Sequence, residues 1–167
     1  KDVLIKQLLD VAGSSRRIIA EDLGIIPPEV IELRKRHGLE GMAVLHFGFD
    51  DDNADNPHRP ENITYDKVVY TGTHDNDTTN GWWNNAPPQT KKRLERYRIE
   101  GESIPQCLIR LALQSEAGMA IIPLQDIMEL GSEARMNMPG TEYGNWDWRF
   151  TWEELPEFRL KRKESTS

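Results

Sequence analysis

An apolar run that ends in a cluster of polar side chains is the feature that most constrains how this chain can fold. Residues 68–70 (Val-Val-Tyr) lead directly into residues 71–79 (Thr-Gly-Thr-His-Asp-Asn-Asp-Thr-Thr). A second apolar run, residues 18–20 (Ile-Ile-Ala), leads into Glu21 and Asp22. In α/β folds the active site lies at the carboxyl ends of the parallel strands. Two runs that both end in carboxylates therefore predict an active site at one mouth of a parallel sheet.

The rest of the chain alternates short apolar runs with helical patterns, which is typical of the α/β class. We expect four strands, at residues 18–20, 42–49, 68–71 and 119–123. We expect helices at residues 2–12, 27–37, 90–100 and 104–113, and a short helical turn at 126–130. The apolar stripe of the first helix predicts a buried face. Residues 50–66 read as a long loop, and the crossovers between apolar strands imply a parallel sheet.

Composition excludes several classes of partner. The chain has 167 residues and a net charge of −7, whereas binding to a nucleic-acid backbone needs Lys and Arg to neutralise phosphates. No apolar run approaches the roughly 18 residues of a membrane span. The single cysteine, Cys107, excludes an internal disulfide and fits a reducing compartment. We expect a cytoplasmic protein.

Glu21 is a candidate general acid because of its place at the end of an apolar strand. A carboxyl in that setting is expected to be partly desolvated, which raises its pKa and suits proton donation. The alternative is an acid that caps a helix or lies in a surface turn. For Asp22 we expect a structural role.

His74, Asp75 and Asp77 admit three interpretations. The first is a carbohydrate or acyl-transfer site that uses Asp75. The second is a metal site, since one His and two Asp form an ordinary ligand set. The third is a strand end that is closed by Asx turns without any chemistry.

Aromatic residues are concentrated near the predicted mouth of the sheet. Their flat faces suit stacking on sugar rings, but core packing explains large aromatic side chains equally well. The set comprises Trp82, Trp83, Trp146, Trp148 and Trp152, with Phe47 and Phe49. No phosphate-binding loop, dinucleotide fingerprint or zinc-ligand spacing is present, so we expect no cofactor and no metal.

Three segments carry a family resemblance. Residues 18–30, residues 70–82 and the pair of motifs at 138–141 and 144–149 resemble the 4-α-glucanotransferases (amylomaltase, disproportionating enzyme). The resemblance implies a (β/α)₈ barrel that cuts an α-1,4-glucan and passes the glycosyl unit to another sugar hydroxyl, with retention of configuration. It further implies that residues 1–160 hold the C-terminal half of the barrel, about strands five to eight, followed by a charged tail at 161–167.

The resemblance also implies roles for individual residues. Glu21 matches the family's general acid/base, Asp75 matches the carboxylate that stabilises the transition state, and His74 matches its neighbour. The positions that match the family's other sugar contacts are Phe47, Asp51 and Asn145. The implied partner is an α-1,4-glucan or maltooligosaccharide.

One departure from the family pattern concerns the nucleophile. In the family an Asp lies one strand before the acid/base, with an Arg two residues ahead of it. Upstream of Glu21 this chain offers Asp2 and Asp10, both on the first predicted helix. We therefore expect that strands one to four of the barrel are missing and that the isolated chain does not catalyse transfer.

Two other functions stay open at this stage. One is a non-catalytic glucan-binding fragment that keeps the aromatic surface without turnover. The other is a metal-dependent hydrolase that uses His74, Asp75 and Asp77. Starch turnover that is sensitive to a chelator would favour the metal enzyme.

Overall fold

A three-stranded parallel sheet forms the centre of the protein. The computed structural model describes residues 2–15 and 18–155. The strands are β1 (Gly41–Val44), β2 (Lys67–Tyr70) and β3 (Met119–Ile121), and they lie side by side in the order β1-β2-β3. All of their carboxyl ends therefore face the same way, as the sequence predicts for an α/β protein.

Helices precede, connect and follow the strands. They are α1 (Asp2–Ala12), α2 (Pro28–Arg36), α3 (Thr79–Asn85), α4 (Pro88–Glu95), α5 (Ile104–Gln114) and α6 (Leu124–Ile127). Proline in the first turn suits the starts of α2, α4 and α5, because the N–H that proline lacks has no partner there in any helix. A capping box begins α5, where Ser103 accepts from the backbone N–H of Gln106.

The core lies where α5 packs over the sheet and the start of the 45–66 connection. Ala43 of β1 and Val69 of β2 are fully buried, as are Cys107 and Leu108 of α5. Phe49 is 1% exposed and joins the same cluster. This core supports the sheet from one side and leaves the carboxyl ends of the strands free to form a site.

The first predicted strand is wrong in extent, because residues 18–20 form only an isolated parallel bridge between Ile19 and Glu40. Beyond that bridge, backbone N–H groups at this edge of β1 donate to side chains. The carboxylate of Asp22 accepts the Met42 N–H at 2.6 Å, and Nδ1 of His58 accepts the Val44 N–H at 3.1 Å. No further backbone pairing is needed there, since the ladder donors already have acceptors.

The second predicted strand is too long. It ends at Val44, and Leu45–Phe49 forms a 3₁₀ helix. In a strand, His46 and Phe49 would point to opposite faces, whereas a 3₁₀ helix with three residues per turn aligns them. Both rings pack on Trp82, with ring centroids 4.5 and 6.3 Å away, and this shared contact explains the change of backbone.

Smaller differences from prediction concern the helices. The sequence pattern missed α3, which Thr78 caps by accepting the Gly81 N–H. The fourth predicted strand ends at Ile121, and the helical turn after it begins at Leu124. The predicted helix at 90–100 is shorter and earlier, as α4.

Helix α1 forms as predicted, but its apolar face is not buried. Val3, Leu4, Leu8 and Val11 have exposed fractions between 51% and 89%. The predicted buried stripe is therefore wrong for the residues that the structure describes. The predicted tail at 161–167 lies outside those residues.

The helices are short. Within residues 2–15 and 18–155 the longest have 11 residues, and none is long and apolar enough to cross a bilayer.

Candidate active site

A cavity of about 550 Å³ opens at the carboxyl ends of the strands. Met42 of β1, Tyr70 of β2 and Ile121 of β3 contribute to its lining, together with Ile19 from the bridged segment. Polar and aromatic residues from the segments that follow the strands complete the wall: Glu21, Phe47, Thr73, His74, Asp75, Asn76, Asp77, Thr78, Gln125, Asp126, Arg135 and Trp146. The cavity lies at the mouth of the sheet where the sequence predicts an active site.

Glu21 and Asp75 reach this cavity from next-adjacent segments. The Ile19 bridge lies beside β1, and β1 lies beside β2, which leads into Asp75. The predicted placement of the two carboxyl groups at one mouth is thus confirmed. Glu21 is exposed, however, so the predicted desolvation of its carboxyl is not found.

Asp22 has the structural role that the sequence predicted. Its side chain is 8% exposed, and its carboxylate lies 2.6 Å from Nζ of Lys67 and 3.2 Å from Nε of Arg34. It also accepts the Met42 N–H. These contacts fix the segment that carries Glu21 against the amino-terminal half of the sheet.

Asp75 is held by neighbours on both sides. Nδ2 of Asn137 donates to Oδ1 of Asp75 at 2.6 Å, and Nε2 of His74 lies 3.3 Å from the same oxygen. Nη2 of Arg135 donates to the Asp75 carbonyl at 2.7 Å. With Oδ1 occupied, Oδ2 is the carboxylate oxygen that no described residue contacts by a hydrogen bond, and it is left to meet a ligand.

The His74 ring lies beside an unusual residue. Its centroid is 5.1 Å from that of Trp146, which has a positive φ of 62°. A bulky residue rarely adopts this left-handed conformation, and such strain is typical of functional sites. The N–H of Trp146 donates to the Met136 carbonyl at 2.7 Å, which holds the indole at the cavity wall.

The carboxylate oxygens of Asp77 accept hydrogen bonds from the backbone and from a neighbouring hydroxyl. Its Oδ1 accepts the Thr78 N–H at 2.8 Å, and its Oδ2 accepts from Oγ of Ser132 at 2.7 Å. The closing-turn interpretation therefore fits Asp77. In the part of the chain that the structure describes, no group of three His, Cys, Asp or Glu residues is arranged to hold a metal ion.

The three other predicted sugar contacts differ in whether they line the cavity. Phe47 lines the cavity, with its ring edge-on to His58 at 5.5 Å. Asp51 lies outside the cavity lining, and its Oδ1 accepts from the Asn53 N–H and from Nδ2 of Asn56.

Asn145 also lies outside the lining and organises its own loop. Its Oδ1 accepts the Met138 N–H at 2.8 Å, and its Nδ2 donates to the carbonyl and hydroxyl oxygens of Thr141. The next residue, Trp146, does reach the cavity.

The sequence left two interpretations of the aromatic residues open, stacking on sugar rings and core packing. The structure places different members of the set in different surroundings. Trp82 and Trp83 pack against the core, and Trp82 stacks on His46. Trp146 faces the cavity. Trp148 and Trp152 contact Phe150 on a separate stretch of chain.

Arg135 and Asn137 are site residues that the sequence analysis missed. They lie just before the motif at 138–141, and neither belongs to an apolar run or a spacing with chemical meaning. Only the family motif beside them could have drawn attention to them.

A parallel sheet with a Glu and an Asp converging at the strand ends, beside aromatic walls, is the arrangement of a carbohydrate-active α/β enzyme. The family model for 4-alpha-glucanotransferase matches residues 2–155. The chain belongs to the 4-alpha-glucanotransferase family.

Curated relatives are about 50% identical to this chain over the aligned residues. The chloroplastic/amyloplastic 4-alpha-glucanotransferase of Solanum tuberosum is 53% identical over 148 residues, which cover 87% of this chain and 25% of the relative. The 4-alpha-glucanotransferase of Thermus thermophilus is 50% identical over 161 residues, covering 91% of this chain and 32% of the relative. The chain thus spans about a quarter to a third of the relatives it matches.

Solved structures agree on the fold. The amylomaltase of Streptococcus agalactiae, solved in complex with acarbose, matches with a TM-score of 0.80 and 37% identity over 84% of this chain and 29% of that one. The amylomaltase of Corynebacterium glutamicum matches at 18% identity with a TM-score of 0.57 over 82% of this chain and 25% of that one, which supports the fold alone.

Proposed function

We propose that this chain supplies the acid/base part of a retaining 4-α-glucanotransferase, as strands five to eight of a (β/α)₈ barrel. The observation that carries the proposal is the convergence of Glu21 and Asp75 on one cavity from next-adjacent parallel segments. The strand order and the shared mouth support an assignment to a barrel, since barrel enzymes place their sites at this end.

The proposed reaction divides the work between carboxyl groups. Glu21 protonates the leaving glycosidic oxygen and later takes a proton from the acceptor hydroxyl. Retention also needs a nucleophilic carboxylate about 5–5.5 Å from the acid/base, and the family resemblance assigns that role to an Asp upstream of the segment present here. Asp75 stabilises the oxocarbenium-like transition state with its free oxygen, because a nearby negative charge lowers the energy of a developing cation.

The proposed substrate is an α-1,4-glucan or maltooligosaccharide, and the acceptor is the 4-hydroxyl of glucose or of another glucan. Phe47 and Trp146 offer aromatic faces for sugar rings at the cavity. His74 is proposed as a polar sugar contact at the cavity, and Asp51 and Asn145 are proposed as polar sugar contacts outside its lining. The names of the Solanum tuberosum and Streptococcus agalactiae relatives support this substrate class.

The proposed compartment is the cytoplasm, or the plastid if the source is a plant. The relatives from Solanum tuberosum and Arabidopsis thaliana are named as chloroplastic/amyloplastic. The proposed partner within the protein is the other half of the barrel.

A chimera tests the function in a chain of the relatives' length. Residues 1–167 replace the matching segment of the Thermus thermophilus relative, and the purified protein is incubated with maltotriose. We expect glucose together with longer oligosaccharides, with the new linkages in the α configuration by proton NMR. A folded chimera that binds maltotriose without forming longer products would overturn the proposal and favour a non-catalytic glucan-binding role.

The metal-dependent alternative has less support, because Asp77 is bonded to Ser132 and Thr78. Adding a chelator to the same assay separates the two enzymes. Unchanged turnover is expected for the glucanotransferase, and loss of turnover would favour the metal hydrolase.

A further inference from the structure

Four buried polar side chains form a hydrogen-bond chain that joins the ends of the three strands next to the cavity. His46 follows β1, Thr71 follows β2, Thr79 begins α3, and Asp126 lies on α6 after β3. None of the four is more than 1% exposed. A buried carboxyl group is costly unless its oxygens accept hydrogen bonds, so the presence of Asp126 here calls for an explanation.

Asp126 accepts three hydrogen bonds. Its Oδ1 accepts the backbone N–H of Thr79 at 2.8 Å. Its Oδ2 accepts the hydroxyls of Thr71 at 2.5 Å and of Thr79 at 2.8 Å. An ionised carboxylate is an acceptor only, so all three donors have the partner that they need.

This arrangement fixes the direction of the remaining bond. The one hydroxyl proton of Thr79 is directed to Asp126, so its oxygen must accept from Nε2 of His46, 3.0 Å away. His46 is then the neutral tautomer that carries its proton on Nε2. Within residues 2–15 and 18–155 the buried Nδ1 of His46 has no hydrogen-bond partner, which agrees with a nitrogen that carries no proton.

At the His46 end, this hydrogen-bond chain contacts the loop that carries Asp75. The His46 backbone N–H donates to the Thr71 carbonyl at 3.3 Å. A Cβ atom added to Gly72 would lie 2.6 Å from Cε1 of His46, so the imidazole lies directly against this glycine. Gly72 is three residues before Asp75, and the indole of Trp82 stacks on the imidazole with an interplanar angle of 6°.

We propose that Asp126 is a positioning residue: as a buried carboxylate it fixes the His46 tautomer through Thr79, and this directed chain of hydrogen bonds sets the position of the loop that carries Asp75. The effect on catalysis rests on the proposed function, whereas the tautomer does not. Burial lowers the pKa of His46 to about 3, which keeps the ring neutral. Burial raises the pKa of Asp126, and so does the neighbouring charge of Asp77, while the bonds from Thr71 and Thr79 oppose this rise.

Nitrogen-15 NMR of the histidine rings tests the tautomer in the 167-residue chain. We expect His46 to be protonated on Nε2 at neutral pH. In Asp126→Asn the amide NH₂ takes the place of Oδ2 and donates to both threonine hydroxyls. The Thr79 hydroxyl must then donate to Nε2 of His46, so the ring proton should move to Nδ1. The same tautomer in both proteins, or an Nδ1 proton in the unsubstituted chain, would overturn the proposal.

Kinetics in the Thermus thermophilus chimera test the positioning role. We expect Asp126→Asn and Thr79→Val to lower kcat on the order of ten- to a hundredfold, with KM for maltotriose changed by less than about threefold, because displacing a catalytic group by about 1 Å costs rate more than binding. Thr79→Ser keeps the hydroxyl and should restore most of kcat. The matched control is Thr90→Val, because Thr90 is a buried threonine of α4 that is not part of this hydrogen-bond chain. This variant should leave kcat unchanged.

The outcomes separate the two proposals. A folded but inactive unsubstituted chimera contradicts the proposed function, and the NMR result still decides the tautomer. An active chimera whose Thr79→Val or Asp126→Asn variant keeps full kcat contradicts the positioning role. If Asp126→Asn does not fold, the comparison of Thr79→Val with Thr79→Ser decides whether the hydrogen-bond chain has a positioning role.

Discussion

The side-chain amide of Asn137 donates to Oδ1 of Asp75 across 2.6 Å, and the Asn137 N–H donates to the His74 carbonyl at 3.1 Å. One residue therefore fixes both the carboxylate and the backbone of the two adjacent site residues. If Asp75 stabilises a developing cation, its free oxygen must be held towards the cavity before the reaction begins.

Asn137→Ala should lower kcat of the Thermus thermophilus chimera by about tenfold, because Asp75 then loses the donor that orients it. The measurement is the initial rate of glucose release from maltotriose. Asn85→Ala is the control, since Asn85 donates to the Gly81 carbonyl on α3, away from Asp75. Equal rates in the two variants would show that Asn137 does not orient a catalytic group.

The position of the cavity could be predicted from the sequence because the needed information is local. The apolar runs before Glu21 and before His74 each mark the end of a parallel segment, and parallel segments bring such ends together. The helices expected at 27–37 and 104–113 also form, as α2 and α5, because a first-turn proline and a serine cap act within a few residues of the helix start.

The features that the sequence missed depend on contacts between distant residues. The segment at 18–20 stops pairing because Asp22 and His58 satisfy the β1 edge, and His58 is 36 residues from Asp22. The buried hydrogen-bond chain joins His46 to Asp126 across 80 residues and follows no motif. Such pairings appear only when the fold brings the side chains together.

Asp22→Asn should destabilise the 167-residue chain by about 3 kcal/mol, because a buried cation that loses its partner keeps its desolvation cost. Lys67 loses its carboxylate at 2.6 Å, whereas Arg34 keeps Asp66 at 2.7 Å, which limits the loss. Urea unfolding followed by tryptophan fluorescence measures the change. Asp52→Asn is the control, because its carboxylate is 77% exposed beside Arg93, and a much smaller change is expected. Equal effects of both substitutions would contradict a buried role for Asp22.

His46 should make the chain less stable in mild acid. Burial lowers the folded-state pKa of His46 to about 3, and in the unfolded chain the imidazole titrates near its ordinary value of 6.5. Between these values the unfolded chain binds a proton that the folded chain does not bind. Stability therefore falls as pH drops through this window, by at most about 1.4 kcal/mol per pH unit from this group.

Asp126 acts in the opposite sense, because its folded-state pKa is raised and its contribution to stability falls as pH rises. A substitution of His46 isolates the imidazole from such effects. The free energy of unfolding at pH 5 and pH 7 should differ less in His46→Gln than in the unsubstituted chain. An unchanged difference would mean that His46 is not buried in its neutral form.

Glu21→Gln in the chimera should lower transfer activity by roughly 10²–10⁴-fold and leave maltooligosaccharide binding largely intact. The amide has the shape of the carboxyl group but cannot donate and recover a proton. Transfer rates and calorimetric binding of maltotriose measure the two effects. Glu29→Gln, in the first turn of α2, is the matched exposed control. Near-normal turnover of Glu21→Gln would assign the acid/base to another residue.

The 167-residue chain alone should not disproportionate maltotriose. Of the acidic residues before Glu21, Asp2 and Asp10 lie on α1, and neither lines the cavity. No carboxylate there can attack the sugar opposite Glu21, so a glycosyl-enzyme cannot form.

The assay for this prediction incubates the purified chain with maltotriose and separates the products by chromatography, with the chimera as the positive control. The exposed apolar face of α1 should also make the isolated chain self-associate, which sedimentation velocity at several concentrations measures. Longer oligosaccharides at rates like those of the chimera would show that a carboxylate of this chain acts as the nucleophile, and the proposed division of the active site would then be wrong.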